Sequence, residues 1–293
     1  MATALITGGT SGIGAAFASA LADRGYSLVL VARNEERLAS SAAALRAVSG
    51  TQVETMRADL GERADVDRVA ARLEEIDRPI ELLINCAGFG VRSKLVNELE
   101  VHEKAFAVMA HAIMILSAAA GRAMSRRGAG AIINISSLQS FLTTGSYAAI
   151  KAWVTSYTQA LAIELRPEGV GVTAVLPGWV RTEWHERAGV ERGSLPSWLW
   201  VEPELVVRVA LRDSARGRVV SIPSVRYRVI GWSVRHLPMP TVRFISARLS
   251  SSRLSSSRRS SSRHSTKPSM SAGSATSSVG GGSELSPERK DQG

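Results

Sequence analysis

Tyr147 and Lys151 stand four positions apart in Ser146-Tyr147-Ala148-Ala149-Ile150-Lys151, a spacing that puts both side chains on one helix face, a turn apart. A phenol ordinarily titrates near about 10 and is a poor base at neutral pH, but an adjacent ammonium favours the phenolate. Such a tyrosine can pass a proton to or from a carbonyl oxygen. Upstream, Ile132-Ile133-Asn134-Ile135-Ser136-Ser137 reads as a strand ending in hydroxyls, and Ser137 is placed to donate a hydrogen bond to the same oxygen, with Ser136 or Ser140 as alternatives. Plainer readings stand beside these: an exposed helix pair, and a serine that caps the following turn.

A second group opens the chain. Thr7-Gly8-Gly9-Thr10-Ser11-Gly12-Ile13-Gly14 follows a short apolar run and precedes an alanine-rich helix, Ala15 to Ala22. A strand, a glycine turn and a helix start aim unpaired amides and the positive end of a helix dipole at one place, where a pyrophosphate can approach the backbone. The Lys-Ser/Thr pair of a P-loop is missing, which removes the kinase and ATPase readings. A dinucleotide site also needs a partner for the adenosine ribose at the end of the second strand, where this chain has Ala32-Arg33-Asn34. Arginine grips a 2'-phosphate in bidentate fashion and no carboxylate at the strand end repels it, so NADP(H) is expected over NAD(H).

The elements that must hold these groups are legible as alternation. Apolar runs at Ala4 to Thr7, Leu28 to Ala32, Val53 to Arg57, Leu82 to Asn85, Ile132 to Ser136, Val172 to Leu176 and Val219 to Ile222 alternate with segments of 3.6-residue spacing, such as Val66, Val69, Leu73, Ile76 and Leu38, Leu45, Val48. This predicts an α/β fold, a doubly wound, seven-stranded parallel sheet with helices on both faces. The chain has 293 residues, 45% of them apolar, enough for such a core. The single cysteine, Cys86, excludes an intramolecular disulfide, and His102, His111, His185, His236 and His264 show no metal-ligand spacing, so no metal is expected. The most apolar stretch, Phe106 to Ala120, is shorter than a membrane span and reads as a buried helix; no leader pattern opens the chain, and a cytoplasmic protein is expected.

Taken together and in this order, the motifs resemble the short-chain dehydrogenase/reductase family over Met1 to Ile222. The carriers are Thr7 to Gly14, Asp59-Leu60, Asn85-Cys86-Ala87-Gly88, Ser137, Tyr147 with Lys151, and Pro177-Gly178 with Thr182. The resemblance implies a Rossmann-like fold in which the glycine turn, Gly8, Thr10, Ser11, Gly12, Ile13 and Gly14, lines the pyrophosphate. It places Arg33 and Asn34 at the adenosine ribose, Asp59 and Leu60 at the adenine, and Asn85, Ala87 and Gly88 along the middle of the cofactor. Lys151 would hold the nicotinamide ribose, Pro177, Val180 and Thr182 would orient the carboxamide, and Tyr147 would be the general acid/base with Ser137 beside it. Three departures stand out: Cys86 replaces the family's second asparagine, Met109 occupies the position of an asparagine that holds a relay water in many relatives, and the ten positions from Ser137 to Tyr147 are fewer than the family commonly has.

On the substrate side, Trp184, Leu195, Trp198, Leu199 and Trp200 fall where the family carries a lid, which suits a lipophilic carbonyl or alcohol; "VLVARNEERL" and the arginine-rich end look like the ketoacyl and hydroxysteroid reductase subgroup. The net charge of +10 sits almost wholly at the C-terminal end: from Arg226 onward there are 12 Lys/Arg against 3 Asp/Glu, leaving 24 against 23 before it. Residues 224–249 interleave arginines with apolar residues, read as peripheral membrane contact or as an extension packed on the body, and 250–293 read as a disordered Ser/Arg tail. Nucleic-acid binding is not expected, since no folded module accompanies the charge. A homo-oligomer is expected through the apolar helices at Phe106 to Ala120 and Ala148 to Leu165. The alternatives to an active oxidoreductase are a nucleotide-binding scaffold of the same fold with little turnover and a module acting through its basic end.

Overall fold

Strand β1 (Thr3–Thr7) turns Leu5 to one face of a sheet and Ala4 and Ile6 to the other, and all three are fully buried. Both faces are therefore covered, as a parallel sheet requires. A computed structural model describes residues 2–91, 93–182 and 196–248; the lid residues Trp184 and Leu195 and the tail 250–293 lie outside the described residues. The other strands are β2 (Ser27–Ala32), β3 (Val53–Arg57), β4 (Leu82–Asn85), β5 (Gly130–Ile135), β6 (Val170–Val175), β7 (Trp179–Val180), β8 (Trp200–Val201) and β9 (Val220–Ser221). Seven of them form one parallel sheet in the order β3-β2-β1-β4-β5-β6-β9, as the alternation predicts.

Helices α1 (Gly12–Ala22), α2 (Glu35–Ser49) and α7 (Pro203–Ala215) cover the face of Ala4 and Ile6. Helices α3 (Arg63–Glu74), α4 (Leu99–Phe106), α5 (Ala112–Arg127) and α6 (Ser146–Leu165) cover the face of Leu5. Val66, Val69, Leu73 and Leu38 are core residues as expected, but Val48 and Ile76 are 84% and 83% exposed. The cause is local: α3 stops at Glu74, so Ile76 leaves the helical face, and Val48 lies in the last turn of α2.

The chain runs outward from β1 to β3, then crosses back to β4, so Thr7 and Asn85 end adjacent strands at the point where the winding reverses. Ligands in doubly wound sheets sit in the crevice that opens there. The expected buried helix at Phe106 to Ala120 is part of a longer one: α4, a π-helical turn at Ala107–His111 and α5 run on from Leu99 to Arg127, long and apolar enough by composition to cross a membrane. Val108, Met109, Leu116 and Ala120 of this helix lie in the core, packed with α3 and α6.

Candidate active site

The glycine turn is built by close approaches that only glycine allows. Gly8 and Gly12 have φ of +71° and +54°, and a Cβ on Gly14 would stand 2.1 Å from the Gly8 carbonyl oxygen, so the first turn of α1 lies directly on the loop. A Cβ on Gly8 would meet Ala87 Cα at 3.0 Å, and one on Gly12 would meet Thr182 Cβ at 3.3 Å. Three separated motifs, Gly8 to Gly14, Asn85 to Gly88 and Pro177 to Thr182, are thereby gathered at one mouth. Thr7 Oγ1 locks the first two together by accepting from the Cys86 and Ala87 amides at 3.0 and 3.2 Å. The first turn of α1 carries no acidic residue and Ser11 makes no side-chain cap, so the positive helix end is open to an anion. This cradle fits a pyrophosphate.

At the ribose end, Arg33 is 62% exposed and its guanidinium is 3.9 Å from Asp59 Oδ2. Lys104, on α4, approaches the same oxygen at 3.7 Å. Asp59 Oδ1 accepts from the Gly61 amide at 3.0 Å, and Leu60 is buried behind it. Asn34 Oδ1 caps α2 by accepting from the Arg37 amide at 2.7 Å. Lys104 had no motif to flag it; only the fold brings it beside Asp59.

Lys151 is 4% exposed, and Nζ donates to the Ile135 carbonyl at 2.8 Å while standing 5.8 Å from the centre of the Tyr147 ring. Its own carbonyl accepts from Ser136 Oγ at 2.8 Å. Both ends of Lys151 are thus tied to the residues just before Ser137. Ser136 Oγ is also 2.7 Å from Thr155 Oγ1, so its hydroxyl is committed to holding α6 against β5. Ser137 Oγ accepts from the Gln139 amide at 3.1 Å, capping the 3-10 turn Leu138–Phe141, and its hydroxyl proton stays available as a donor. Capping therefore does not use up the Ser137 hydroxyl proton. Burial pulls the Lys151 ammonium down to about 8 and pushes the Cys86 thiol up to about 12, so at neutral pH the site holds a cation beside a neutral thiol.

Residues 2–192 match the family model described as short chain dehydrogenase. The chain belongs to the short-chain dehydrogenase family, oxidoreductases that act on CH–OH and C=O groups. A short-chain reductase of Streptomyces niveus is 36% identical over 225 residues, 74% of this chain and 80% of that protein. Among solved structures, a short-chain dehydrogenase from Sphingobium yanoikuyae in complex with NADPH is 36% identical with a TM-score of 0.72, covering 93% of this chain and 99% of that one. The bulky-bulky ketone specific alcohol dehydrogenase from Comamonas testosteroni is 30% identical with a TM-score of 0.69, covering 93% and 97%.

As a short-chain dehydrogenase the protein has its own solutions at the departing positions. Met109 is fully buried in the π-helical turn, and a Cβ on Gly88 would stand 3.1 Å from its sulfur and 3.9 Å from Lys151 Nζ. Met109 therefore does face the lysine across Gly88, with an apolar thioether where a polar group would hold water. The Asn85 amide nitrogen is engaged inside the sheet, donating to Asn134 Oδ1 at 2.9 Å and Ser117 Oγ at 3.2 Å, while its Oδ1 is buried without a hydrogen-bond partner among the described residues. Its backbone is the part left to line a cofactor.

Tyr227, absent from the expected site, packs on its Pro177-Gly178 motif. A Cβ on Gly178 would fall 2.1 Å from Tyr227 Cζ, so Pro177-Gly178 is glycine-bearing because a ring lies flat on it. The Tyr227 hydroxyl accepts from the Trp179 amide at 3.1 Å and donates to the Leu199 carbonyl at 2.5 Å. It clamps both stems of the segment between Thr182 and Pro203, where β7 and β8 pair as Trp179↔Trp200 and Val180↔Val201. The Trp179 and Trp200 rings meet edge to face at 6.1 Å, so Trp200 serves that stem.

Proposed function

We propose that the protein is an NADP(H)-dependent oxidoreductase interconverting a ketone and a secondary alcohol on a bulky lipophilic molecule, 3-oxoacyl or steroid-like. The observation that carries this reading is the buried Lys151 ammonium held over the Tyr147 ring by the Ile135 carbonyl, next to Ser137 and a glycine cradle of pyrophosphate shape. NADP(H), when bound along Gly8 to Gly14 and Asn85 to Gly88, supplies or takes up the hydride at the substrate carbon. In the reducing direction Tyr147 gives its proton to the carbonyl oxygen, and the Lys151 cation stabilises the phenolate left behind. Ser137 donates a hydrogen bond to the same oxygen and aligns it. Arg33, whose guanidinium is 62% exposed just past β2 with, among the described residues, only the Asp59 carboxylate near it at 3.9 Å, supports the phosphorylated cofactor, as does the NADPH bound to the Sphingobium yanoikuyae relative. The ketone named for the Comamonas testosteroni relative supports the substrate class.

An aromatic strip on α4 and α6, with Phe106 48% exposed and Trp153 and Tyr157 half-buried and stacked at 4.9 Å, supports a homo-oligomer through that face. Met109 supports a second reading, a cofactor-binding scaffold with little turnover, because an apolar thioether faces the lysine across Gly88 where a polar side chain could pass protons outward. One assay separates the two. NADPH oxidation over a panel of bulky ketones should be measurable for the parent and should fall at least about a hundredfold in Tyr147→Phe, the usual scale for a lost general acid. Equal rates in parent and variant would exclude Tyr147 chemistry.

A further inference from the structure

Helix α8 (Val225–His236) and helix α9 (residues 239–248) have two unlike sides. The inner side is explained by the body: Tyr227 clamps the lid stems, Gly231 lies against Leu138 and Phe141, Val242 is buried, and Ser246 Oγ accepts from the Thr143 amide at 3.0 Å. The outer side is not. Val225, Val229 and Trp232 are 66%, 60% and 64% exposed, and with His236 they follow the i, i+4, i+7, i+11 rhythm of one helical stripe. At 100° per residue this stripe points away from Tyr227 and Gly231, with Arg228 and Arg235 along one flank and Arg226 along the other. On α9, Met239 and Phe244 are 54% and 60% exposed, and the Arg248 guanidinium sits 4.9 Å over the Phe244 ring.

The sequence around this face is one-sided in charge. No Asp or Glu occurs between Asp213 and Glu284, a stretch that holds 12 Lys/Arg. A second copy of the chain would bring the same positive surface and repel. A phosphodiester backbone would engage the arginines and leave Val225, Val229, Trp232 and Phe244 in water. An anionic lipid surface satisfies both halves, with phosphates for the arginines, an acyl boundary for the aliphatic residues and the headgroup level for Trp232.

We propose that the outer face of α8 and α9 is a docking surface for anionic phospholipid bilayers, with the Val225, Val229, Trp232 stripe and Phe244 entering the interface and Arg228, Arg235 and Arg243 on lipid phosphates, while Arg226 is held by the Trp198 carbonyl. The inner side of α8 carries the tyrosine that holds Trp179 and Leu199, so one helix anchors to the body and presents the docking face.

The test is co-sedimentation of the full chain with large vesicles of phosphatidylcholine alone or with about one third phosphatidylserine, at low and high salt. The expected result is pelleting with phosphatidylserine vesicles that weakens with salt. Val229→Ser with Trp232→Ser changes no charge and removes exposed side chains, so it should lower the partition coefficient at least about tenfold without moving the thermal midpoint. Arg228→Gln and Arg243→Gln should each lower it about fivefold. Equal pelleting of the parent and the double variant would assign binding to residues beyond 248 and overturn the proposal. So would a parent that stays in the supernatant, or a double variant whose only change is a smaller assembly mass in solution.

Discussion

Lys151 is costly to the fold and necessary to the site, and the two effects can be separated by pH. Burial lowers its pKa from an ordinary 10.5 to about 8. At about 1.4 kcal/mol per pKa unit this is roughly 3 kcal/mol against the folded state wherever both states carry the proton. Below pH 8 that cost is present in full. Between about 8 and 10.5 the unfolded chain binds more protons than the folded one, so stability rises with pH, and above about 10.5 the cost has vanished.

Lys151→Met removes this dependence and leaves the Ile135 carbonyl, now served at 2.8 Å, without its donor, a loss of about 1 kcal/mol. The variant should therefore be about 2 kcal/mol more stable than the parent at pH 7 and about 1 kcal/mol less stable above pH 10.5, the two curves crossing between about pH 9 and 10. Urea unfolding of the ligand-free protein, followed by tryptophan fluorescence at pH 7, 8.5 and 10, reads the difference directly. Ketone turnover should meanwhile drop by about a hundredfold or more, since Tyr147 loses the cation that stabilises its phenolate. A variant less stable than the parent at pH 7, or a difference that does not change between pH 7 and 10, would refute the reasoning.

Two further outcomes follow from the site. Arg33→Asp replaces a bidentate phosphate partner with a repelling charge beside Asp59, so kcat/KM with NADPH should fall about tenfold to a hundredfold while that with NADH holds or rises; parallel losses with both cofactors would remove Arg33 from phosphate selection. Cys86 is the only cysteine, and a thiol pushed up to about 12 keeps almost no thiolate at pH 8, so a disulfide reagent should label the native protein about a thousandfold more slowly than the urea-unfolded chain. Comparable rates would mean that Cys86 is open to solvent.

What the sequence made legible was whatever depends on local spacing. Alternation sets the seven strands to within two residues at either end, because short apolar or β-branched runs of four to six residues bounded by turn residues suit strands, whereas the longer run at Phe106 to Ala120 is a helix. The glycine turn and the Tyr147, Lys151 pair were legible for the same reason: the members of each motif lie within a turn or two of one another in the chain. The residues that escaped, Lys104 at Asp59, Tyr227 on Gly178 and Ser246 at Thr143, act across separations of 45, 49 and 103 positions, and nothing in their neighbourhoods marks them.

Periodicity likewise places Val48 and Ile76 on apolar helix faces, because it cannot see where a helix stops. The C-terminal segment shows why this limit bears on function. Its sequence supports membrane contact and packing on the body as rivals, and the structure shows packing on one side of α8 and an exposed apolar stripe on the other, so the two readings do not compete for the same residues. A twelve-residue helix with Tyr227 and Gly231 inward still presents Val225, Val229 and Trp232 outward, so holding Trp179 and Leu199 uses one side of α8 and leaves the other exposed. Which residues clamp the stems and which face solvent follows from rotation about one axis, and that rotation is fixed only when Gly178 offers the bare backbone on which the Tyr227 ring can lie.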